Sequence, residues 1–287
     1  MTDNPHPSDA PRVALHDHAV VALEGRDALA FAQAQAMNDV AALGDGQWQW
    51  NGWLTPKGRL IALFALLRRD AQAAWLLVPD GAGPMLAEGL RRYLFRSKLA
   101  IALREDLHVS GAFAAHASAS GAQAADEDGG VALDFTGAGG ARTAWIGTRP
   151  GADDADALAR WRAADLAHGL PRLGAAQRER WTPQQLSLER LRAFSVKKGC
   201  YPGQEIVART HFLGQAKRGL ALLHADAPVA PGAEVRADGA VVGEVASVAE
   251  APQVLALAVL QQGVAAGSLE IAGVAATPHS LLDGLAR

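Results

Sequence analysis

The chain has 287 residues, of which 49% are apolar, enough to bury a sizeable core spread over two or three compact units. Its formal net charge of −3 gives no bulk electrostatic reason to bind nucleic acid or an anionic membrane. The longest uninterrupted apolar stretch, Leu60 to Leu67, is far below the roughly 20 residues needed to span a bilayer. We therefore expect a globular protein with no membrane and no direct nucleic-acid partner.

The single cysteine and the first residues indicate the compartment. Cys200 has no second thiol in the chain, which excludes an intrachain disulfide and a metal site built on several of its own thiolates. The first residues are acidic and proline-rich, without the basic and apolar segments of a secretory signal. We predict a cytoplasmic protein with a disordered tail over residues 1–18 and no permanent metal. A cluster on Cys200 would be transient and would need ligands from another molecule.

Hydrophobic periodicity in the first part of the chain predicts alternating strands and helices. Residues 19–23 are β-prone, and residues 25–37 have apolar side chains at helical spacing. Residues 48–78 contain apolar stretches that are interrupted by possible turns at 55–58 and at 68–70, which predicts an antiparallel meander. A helix over 83–98 and a strand over 99–103 follow.

The second part of the chain continues this α+β pattern and ends in short strands. The predicted elements are strands over 131–135 and 143–147, a helix over 153–168 that carries Trp161, and strand-like runs over 219–223, 240–248 and 254–260. Pro-Gly and Asp-Gly turn signals separate the last runs, as in a small β-barrel. After the tail we predict three units, over residues 19–110, 111–214 and 215–287, with the last boundary near Gln215.

The segment 197–211, KKGCYPGQEIVARTH, concentrates a thiol, cations, a carboxylate and two glycines. Pro202 suits the start of a helix, so we predict a helix over 203–210 with Cys200 just before it. The positive end of that helix, together with Lys197 or Lys198, would favour a thiolate, which is a nucleophile or a soft metal ligand. A lone cysteine is also frequently a small buried apolar residue, and spacing alone leaves both interpretations open.

The string Lys198-Gly199-Cys200-Tyr201-Pro202-Gly203-Gln204-Glu205, with Arg209 four residues on, resembles the signature K-G-C-[FY]-x-G-Q-E of a known family. That family comprises folate-binding proteins related to the aminomethyltransferase of the glycine cleavage system. Two further segments match it, Met37-Asn38-Asp39-Val40 with the family's T-N-D-V and Thr55-Pro56-Lys57-Gly58-Arg59 with its P-K-G-R turn. The likeness runs from about Val20 to at least Arg218.

The resemblance implies a three-domain aminomethyltransferase-like fold around a central folate pocket, with a C-terminal β-barrel. Its expected cofactor is tetrahydrofolate or another reduced folate, and its expected partners are iron-sulfur client enzymes or assembly proteins, so that any effect on tRNA thiolation is indirect. The resemblance assigns Cys200 and Lys198 as catalytic and Asn38, Asp39, Trp161 and Arg209 as folate-binding. It assigns the rest of the motif, Gly199, Tyr201, Gly203, Gln204, Glu205 and Arg209, to the shape and charge of the loop.

One departure from the family bears on the reaction. The aminomethyltransferase has a catalytic aspartate in the strand that matches 58–64, whereas here that strand reads GRLIALF. Without a carboxylate beside the folate nitrogen, aminomethyl transfer loses its acid-base group. The primary hypothesis is therefore a folate-binding accessory protein for iron-sulfur enzymes. The alternatives are a folate-dependent one-carbon transferase or demethylase that acts on a small amine, and a scaffold in which Cys200 is structural.

Overall fold

A computed structural model of the chain describes residues 11–127, 129–214, 216–250, 253–264 and 269–287. Within these ranges the chain forms strands and α-helices in the mixed order that the sequence predicts. The strands are β1 (Val13–Ala14), β2 (Ala19–Glu24), β3 (Trp48–Leu54), β4 (Leu60–Asp70), β5 (Ala73–Val78), β6 (Ala100–Leu103), β7 (His108–Ala112), β8 (Ala125–Glu127), β9 (Gly130–Asp134), β10 (Thr143–Gly147), β11 (Arg218–Ala225), β12 (Glu234–Ala237), β13 (Ala240–Ala249), β14 (Val254–Gln261), β15 (Leu269–Ile271) and β16 (Val274–His279). The α-helices are α1 (Ala28–Gln35), α2 (Gly83–Arg91), α3 (Ala155–Ala167) and α4 (Gln204–Leu213).

The first sheet contains the predicted meander and has the order β3-β4-β5-β2-β6. Its neighbouring strands are antiparallel, and the predicted turn at 55–58 joins β3 to β4. The predicted turn at 68–70 is wrong, because β4 continues to Asp70, which pairs with Ala73. The charged strand end is tolerated since the Arg69 guanidinium lies over the Trp75 ring, 4.7 Å from its centroid, and pairs with Asp126.

Helices α1 and α2 cover one face of this sheet, where Phe31, Leu86 and Leu90 are buried against strand residues. Helix α2 is shorter than predicted and ends at Arg91, since the Phe95 N–H bonds the Tyr93 carbonyl and Arg96 adopts a left-handed φ of 61°. No helix among the described residues is long and apolar enough to cross a membrane.

The second sheet has the order β1-β7-β10-β9-β8 and corrects the predicted tail. The predicted disorder over residues 1–18 is wrong for β1, which pairs with β7, and for Leu15, which is buried. This ordering follows from apolar burial, because Val13 and Leu15 pack into the main core. Residues 1–10 lie outside the described part of the chain. Strand β7 crosses the predicted boundary at 110/111, because its ladder with β10 continues to Ala112.

An aromatic cluster is buried in the main core that both sheets share. The Trp48 and Phe135 rings stack 5.3 Å apart, and Phe135 also contacts Trp161, which is fully buried on α3. Residues 280–287 return from the barrel to this cluster, where the Trp50 indole donates to the Leu285 carbonyl at 2.7 Å. The interior is therefore sealed on one side by the segment that follows β16.

The C-terminal strands form a closed barrel with the order β11-β14-β13-β12-β15-β16, as predicted. The barrel packs on α3 through Leu166, Leu222 and Leu257. Helix α4, which carries part of the signature, ends five residues before β11 begins. The predicted boundary residue Gln215 lies outside the described residues.

Candidate functional site

Lys198 connects the signature loop to the end of α1. Its ammonium group is buried and donates to three backbone carbonyls, those of Gln33 (2.5 Å), Ala36 (2.6 Å) and Asn38 (3.0 Å). The last carbonyls of a helix have no partner within the helix, and here a side chain from a distant segment supplies one. All three N–H donors of Lys198 are thus used inside the protein.

Burial also changes the acid-base behaviour of this ammonium group. Removal from water lowers the pKa of Lys198 from 10.5 to about 8, and the neighbouring Asp39 carboxylate opposes that shift. The nitrogen lies 5.0 Å from the centroid of the Tyr201 ring, which adds a cation–π contact. Lys198 therefore holds two segments together, and it does not extend toward solvent as a free cation.

Two glycines bring the signature against the Thr55–Arg59 turn. Gly203 has a φ of 78°, and a Cβ there would lie 2.5 Å from the Thr55 carbonyl oxygen and 2.7 Å from the Gly58 Cα. Gly58 has a φ of 68°, and a Cβ there would lie 2.8 Å from the Ile206 Cβ. Only glycine satisfies both the left-handed conformation and the close approach at these positions. Two of the segments that resemble the family are therefore in direct backbone contact.

Tyr201 and Gln204 stabilise the loop from within. The Tyr201 side chain is buried, its hydroxyl donates to the Ser195 carbonyl at 3.2 Å, and burial raises its pKa to about 12. The Gln204 amide donates to the Lys198 carbonyl at 3.1 Å. Ser195, which the sequence analysis missed, accepts from the N–H groups of Lys197 and Lys198. These contacts shape the turn without pointing a polar group outward.

The remaining signature residues are presented to solvent. Cys200, Gly199, Glu205 and Arg209 are exposed, and Arg209 lies on α4, which begins at Gln204 as the sequence predicted to within one residue. The predicted position of Cys200 just before this helix is confirmed, with three residues between them. An exposed thiol is accessible to a reaction partner, whereas a structural cysteine is ordinarily buried.

The Asn38-Asp39 segment lies beside the signature, but its two side chains have different surroundings. Asn38 is buried and donates to the carbonyls of Trp50 and Arg192 at 3.0 and 2.6 Å, while its own oxygen accepts from the Asp39 N–H. Asn38 therefore fixes the backbone and has little left for a ligand. The half-buried Asp39 uses one oxygen on the Gln33 amide at 2.9 Å.

Asn51 is a further residue of this site that sequence reasoning missed. It is fully buried, and its side-chain oxygen accepts from the N–H groups of Asn38 and Gly52. The signal was present in the sequence, since a polar residue in the tryptophan-rich WQWNGW strand has to find partners when that strand is buried.

Trp161, which the resemblance assigned to folate, lies among core side chains. Gly111 and Phe113 contact its ring, and the Arg142 guanidinium carbon lies 4.7 Å from the ring centroid. Buried polar atoms without a partner in the described residues surround this cluster: Trp48 Nε1, Trp161 Nε1, and Nε and Nη2 of Arg142. The structure thus groups Trp161 with unsatisfied donors and not with the residues of the signature loop.

A buried ionic network borders the same interior. Arg172 donates to the carboxylates of Asp17 (2.5 Å), Asp80 (2.8 Å) and Asp165 (2.9 Å), and Asp165 also accepts from Arg142. Burial raises the pKa of Asp17, but a hydrogen bond and charge from His18, with charge from Arg172 and Arg162, outweigh burial and hold that pKa far below its usual range. The network joins the β1–β2 connection, the end of β5 and helix α3 into one unit.

Comparisons with known proteins agree with this fold. A solved structure, the glycine cleavage system aminomethyltransferase T from Bartonella henselae, superposes with a TM-score of 0.71 over 95% of this chain and 85% of its own, at 16% identity. The scan against family models found no match. The fold is therefore that of the aminomethyltransferases.

Curated sequences give a closer relationship. The tRNA-modifying protein YgfZ of Cronobacter sakazakii is 30% identical over an alignment of 233 residues that covers 72% of this chain and 69% of that protein. The protein of the same name from Klebsiella pneumoniae is 30% identical over an alignment of 240 residues that covers 76% of this chain and 72% of that protein. The chain belongs to the YgfZ family.

Proposed function

We propose that this protein binds a reduced folate and supports the assembly or repair of iron-sulfur enzymes, including those that thiolate tRNA, with Cys200 as the reacting thiol. The observation that carries the proposal is the construction of the signature. Lys198, Tyr201, Gly203 and Gln204 fix the loop from inside, and the loop then presents Cys200 to solvent. The name of the YgfZ relatives supports the connection with tRNA modification.

A folate has a flat pteridine ring with several hydrogen-bonding atoms, and the aromatic interior offers matching groups. Trp50 and Phe135 line a cleft next to Asp165 and Arg172. Donors of Trp48, Trp161 and Arg142 that have no partner within the described part of the chain are buried in the same interior. The cleft has room for about one water molecule, so its walls must separate to admit a ring. We propose these aromatic residues as the folate contacts, with Trp161 among them.

The chemistry that a bound folate supplies is the carriage of a one-carbon group. Strand β4 begins with Leu60-Ile61-Ala62-Leu63-Phe64, and its carboxylate, Asp70, lies at the opposite end, where it accepts from the Gln72 N–H. The start of the strand thus provides no group to take or give a proton at a folate nitrogen. This composition favours folate binding without aminomethyl transfer over the alternative of a one-carbon transferase.

Calorimetric titration with tetrahydrofolate tests the folate part, and activity of an iron-sulfur tRNA-thiolating enzyme in a strain that lacks this protein tests the thiol part. We expect saturable binding by wild type and by Cys200→Ala, weaker binding by Phe135→Leu, and restored client activity with wild type but not with Cys200→Ala. Full complementation by Cys200→Ala would refute the thiol role. Absence of binding to any reduced folate would refute the cofactor.

A further inference from the structure

Helix α4 exposes one continuous stripe of side chains. Its buried side is marked by Val207, whose carbonyl accepts from the Gln184 amide at 2.8 Å. Glu205, Arg209, Phe212 and Leu213 are all exposed, and their spacing of four, three and one residues places them on the opposite side. The stripe starts five residues after Cys200 and ends in two large apolar side chains.

Those two apolar side chains are unusually accessible. Phe212 is 66% exposed and Leu213 is 83% exposed, and the contact found for the Phe212 ring is an edge-to-face arrangement with the neighbouring His211. A single exposed apolar residue needs no explanation, but adjacent ones beside a functional motif mark an interaction surface. Aromatic and arginine side chains, here Phe212 and Arg209, are the types enriched in the centres of protein interfaces.

Exposed cations outnumber carboxylates on α4 and on the segments near it. Six exposed cations lie on α4 or on segments near it, and none has a carboxylate within 4.0 Å among the residues that the structure describes: Lys57, Arg192, Lys197, Arg209, Lys217 and Arg218. Three carboxylates share this region: Asp39, Glu189 and Glu205. The six exposed cations outnumber the three carboxylates, although the chain as a whole has a net charge of −3.

Hydrogen bonds and close contacts place these cations near α4. The turn that holds Lys57 contacts Gly203 at the start of the helix. The Arg192 carbonyl accepts from the Asn38 side chain, and the Asn38 carbonyl in turn accepts from the Lys198 ammonium group. After α4, the chain continues through Lys217 and Arg218, and the Leu220 N–H donates to the Ser187 hydroxyl. The segments that carry these cations therefore lie near the two ends of the helix.

We propose that this surface docks an acidic protein, with Phe212 and Leu213 inserted into an apolar recess of that partner and Cys200 brought against it. The proposal rests on the proposed function, because the partner is then an iron-sulfur enzyme or assembly protein. A protein fits the stripe better than RNA, since Glu205 repels phosphate and the aliphatic Leu213 does not stack on bases.

Binding to the host's purified iron-sulfur enzyme that thiolates tRNA tests the proposal, measured by biolayer interferometry from about 50 mM to about 300 mM salt. We expect the double variant Phe212→Ser/Leu213→Ser to bind about 30-fold more weakly, as for loss of an interface hot spot. Arg209→Glu should also weaken binding and flatten its salt dependence. Phe95→Ser, which removes an 80% exposed aromatic side chain four residues after the end of α2, is the matched control and should bind like wild type.

The proposal would be overturned if wild type did not bind the enzyme, or if the double variant bound the enzyme as tightly as wild type. It would also be overturned if the stripe were needed to bind unmodified tRNA and the enzyme did not bind at all. Folate titration separates this result from the proposed function, since the aromatic interior lies away from the stripe. A double variant that still binds tetrahydrofolate is folded, so its loss of enzyme binding reports on the docking surface alone.

Discussion

Replacement of Lys198 by methionine should detach the signature loop from α1. Methionine has a similar length and no N–H donor, so three buried carbonyls lose their partner. Unsatisfied buried groups cost about 1–3 kcal/mol each, which sets an upper range of roughly 3–9 kcal/mol. The substitution also removes a buried charge whose pKa of about 8, against 10.5 in water, corresponds to about 3 kcal/mol of destabilisation. We expect a net loss of about 2–4 kcal/mol in the free energy of unfolding.

Urea denaturation measures this loss, and hydrogen exchange of the Val40 and Ala41 amides, which donate to the Gln33 side chain, shows whether it originates at the end of α1. Lys197→Met is the matched control, because Lys197 is the exposed neighbour and its variant should stay within about 0.5 kcal/mol of wild type. If the Lys198→Met protein were as stable as the control, and hydrogen exchange of the Val40 and Ala41 amides were unchanged, Lys198 would not hold the signature loop against α1.

Gly203→Ala should lower the free energy of unfolding, measured by urea denaturation, by about 1–3 kcal/mol, because the new Cβ would contact the Thr55 carbonyl and the backbone has a left-handed φ. Gly199→Ala is the control and should leave stability unchanged, because the space around its Cβ is open. The pKa of Lys198 is lower in the folded protein than in the unfolded chain, so between about pH 8 and pH 10.5 the unfolded chain binds more protons. The free energy of unfolding of wild type should therefore rise with pH over this range relative to that of Lys198→Met, as urea denaturation at several pH values would show. Arg172→Met should lower the free energy of unfolding by about 3–5 kcal/mol at pH 7, because buried carboxylates lose their partner. Thermal unfolding should show that this difference from wild type becomes smaller below about pH 4, where Asp17 is protonated in the unfolded chain.

Some of the larger elements could be predicted from local signals. The strand at 143–147 is a short apolar run, and helix α3 begins at an Asp154 cap and ends before the Gly169-Leu170-Pro171 stop, so both match the observed bounds to within two residues at each end. Strands such as β1 and β8 have two or three residues and no measurable period, and they exist because neighbouring strands pair with them. Short strands of this kind depend on tertiary contacts that a linear pattern does not contain.

The sequence predicted which residues belong to the site, but not what each of them contacts there. The sequence indicated three segments of the site: the signature, the Asn38-Asp39 segment and the Thr55–Arg59 turn. In the structure both other segments contact the signature. Lys198 was expected to supply charge to the thiol or to folate. Its actual contacts are carbonyls about 160 positions earlier in the chain, and residue types alone do not reveal which carbonyls converge on one point.

The inward orientation of Lys198 constrains the chemistry of Cys200. Because all three Lys198 donors are used by carbonyls, that ammonium group cannot also hydrogen-bond a thiolate. The other lysine of this segment is Lys197, which lies three residues before Cys200 and is exposed, so solvent screens its charge. Contact with a partner would exclude water from both groups and strengthen their attraction. It follows that Cys200 should become most reactive inside a complex, which connects the exposed thiol to the basic surface around α4.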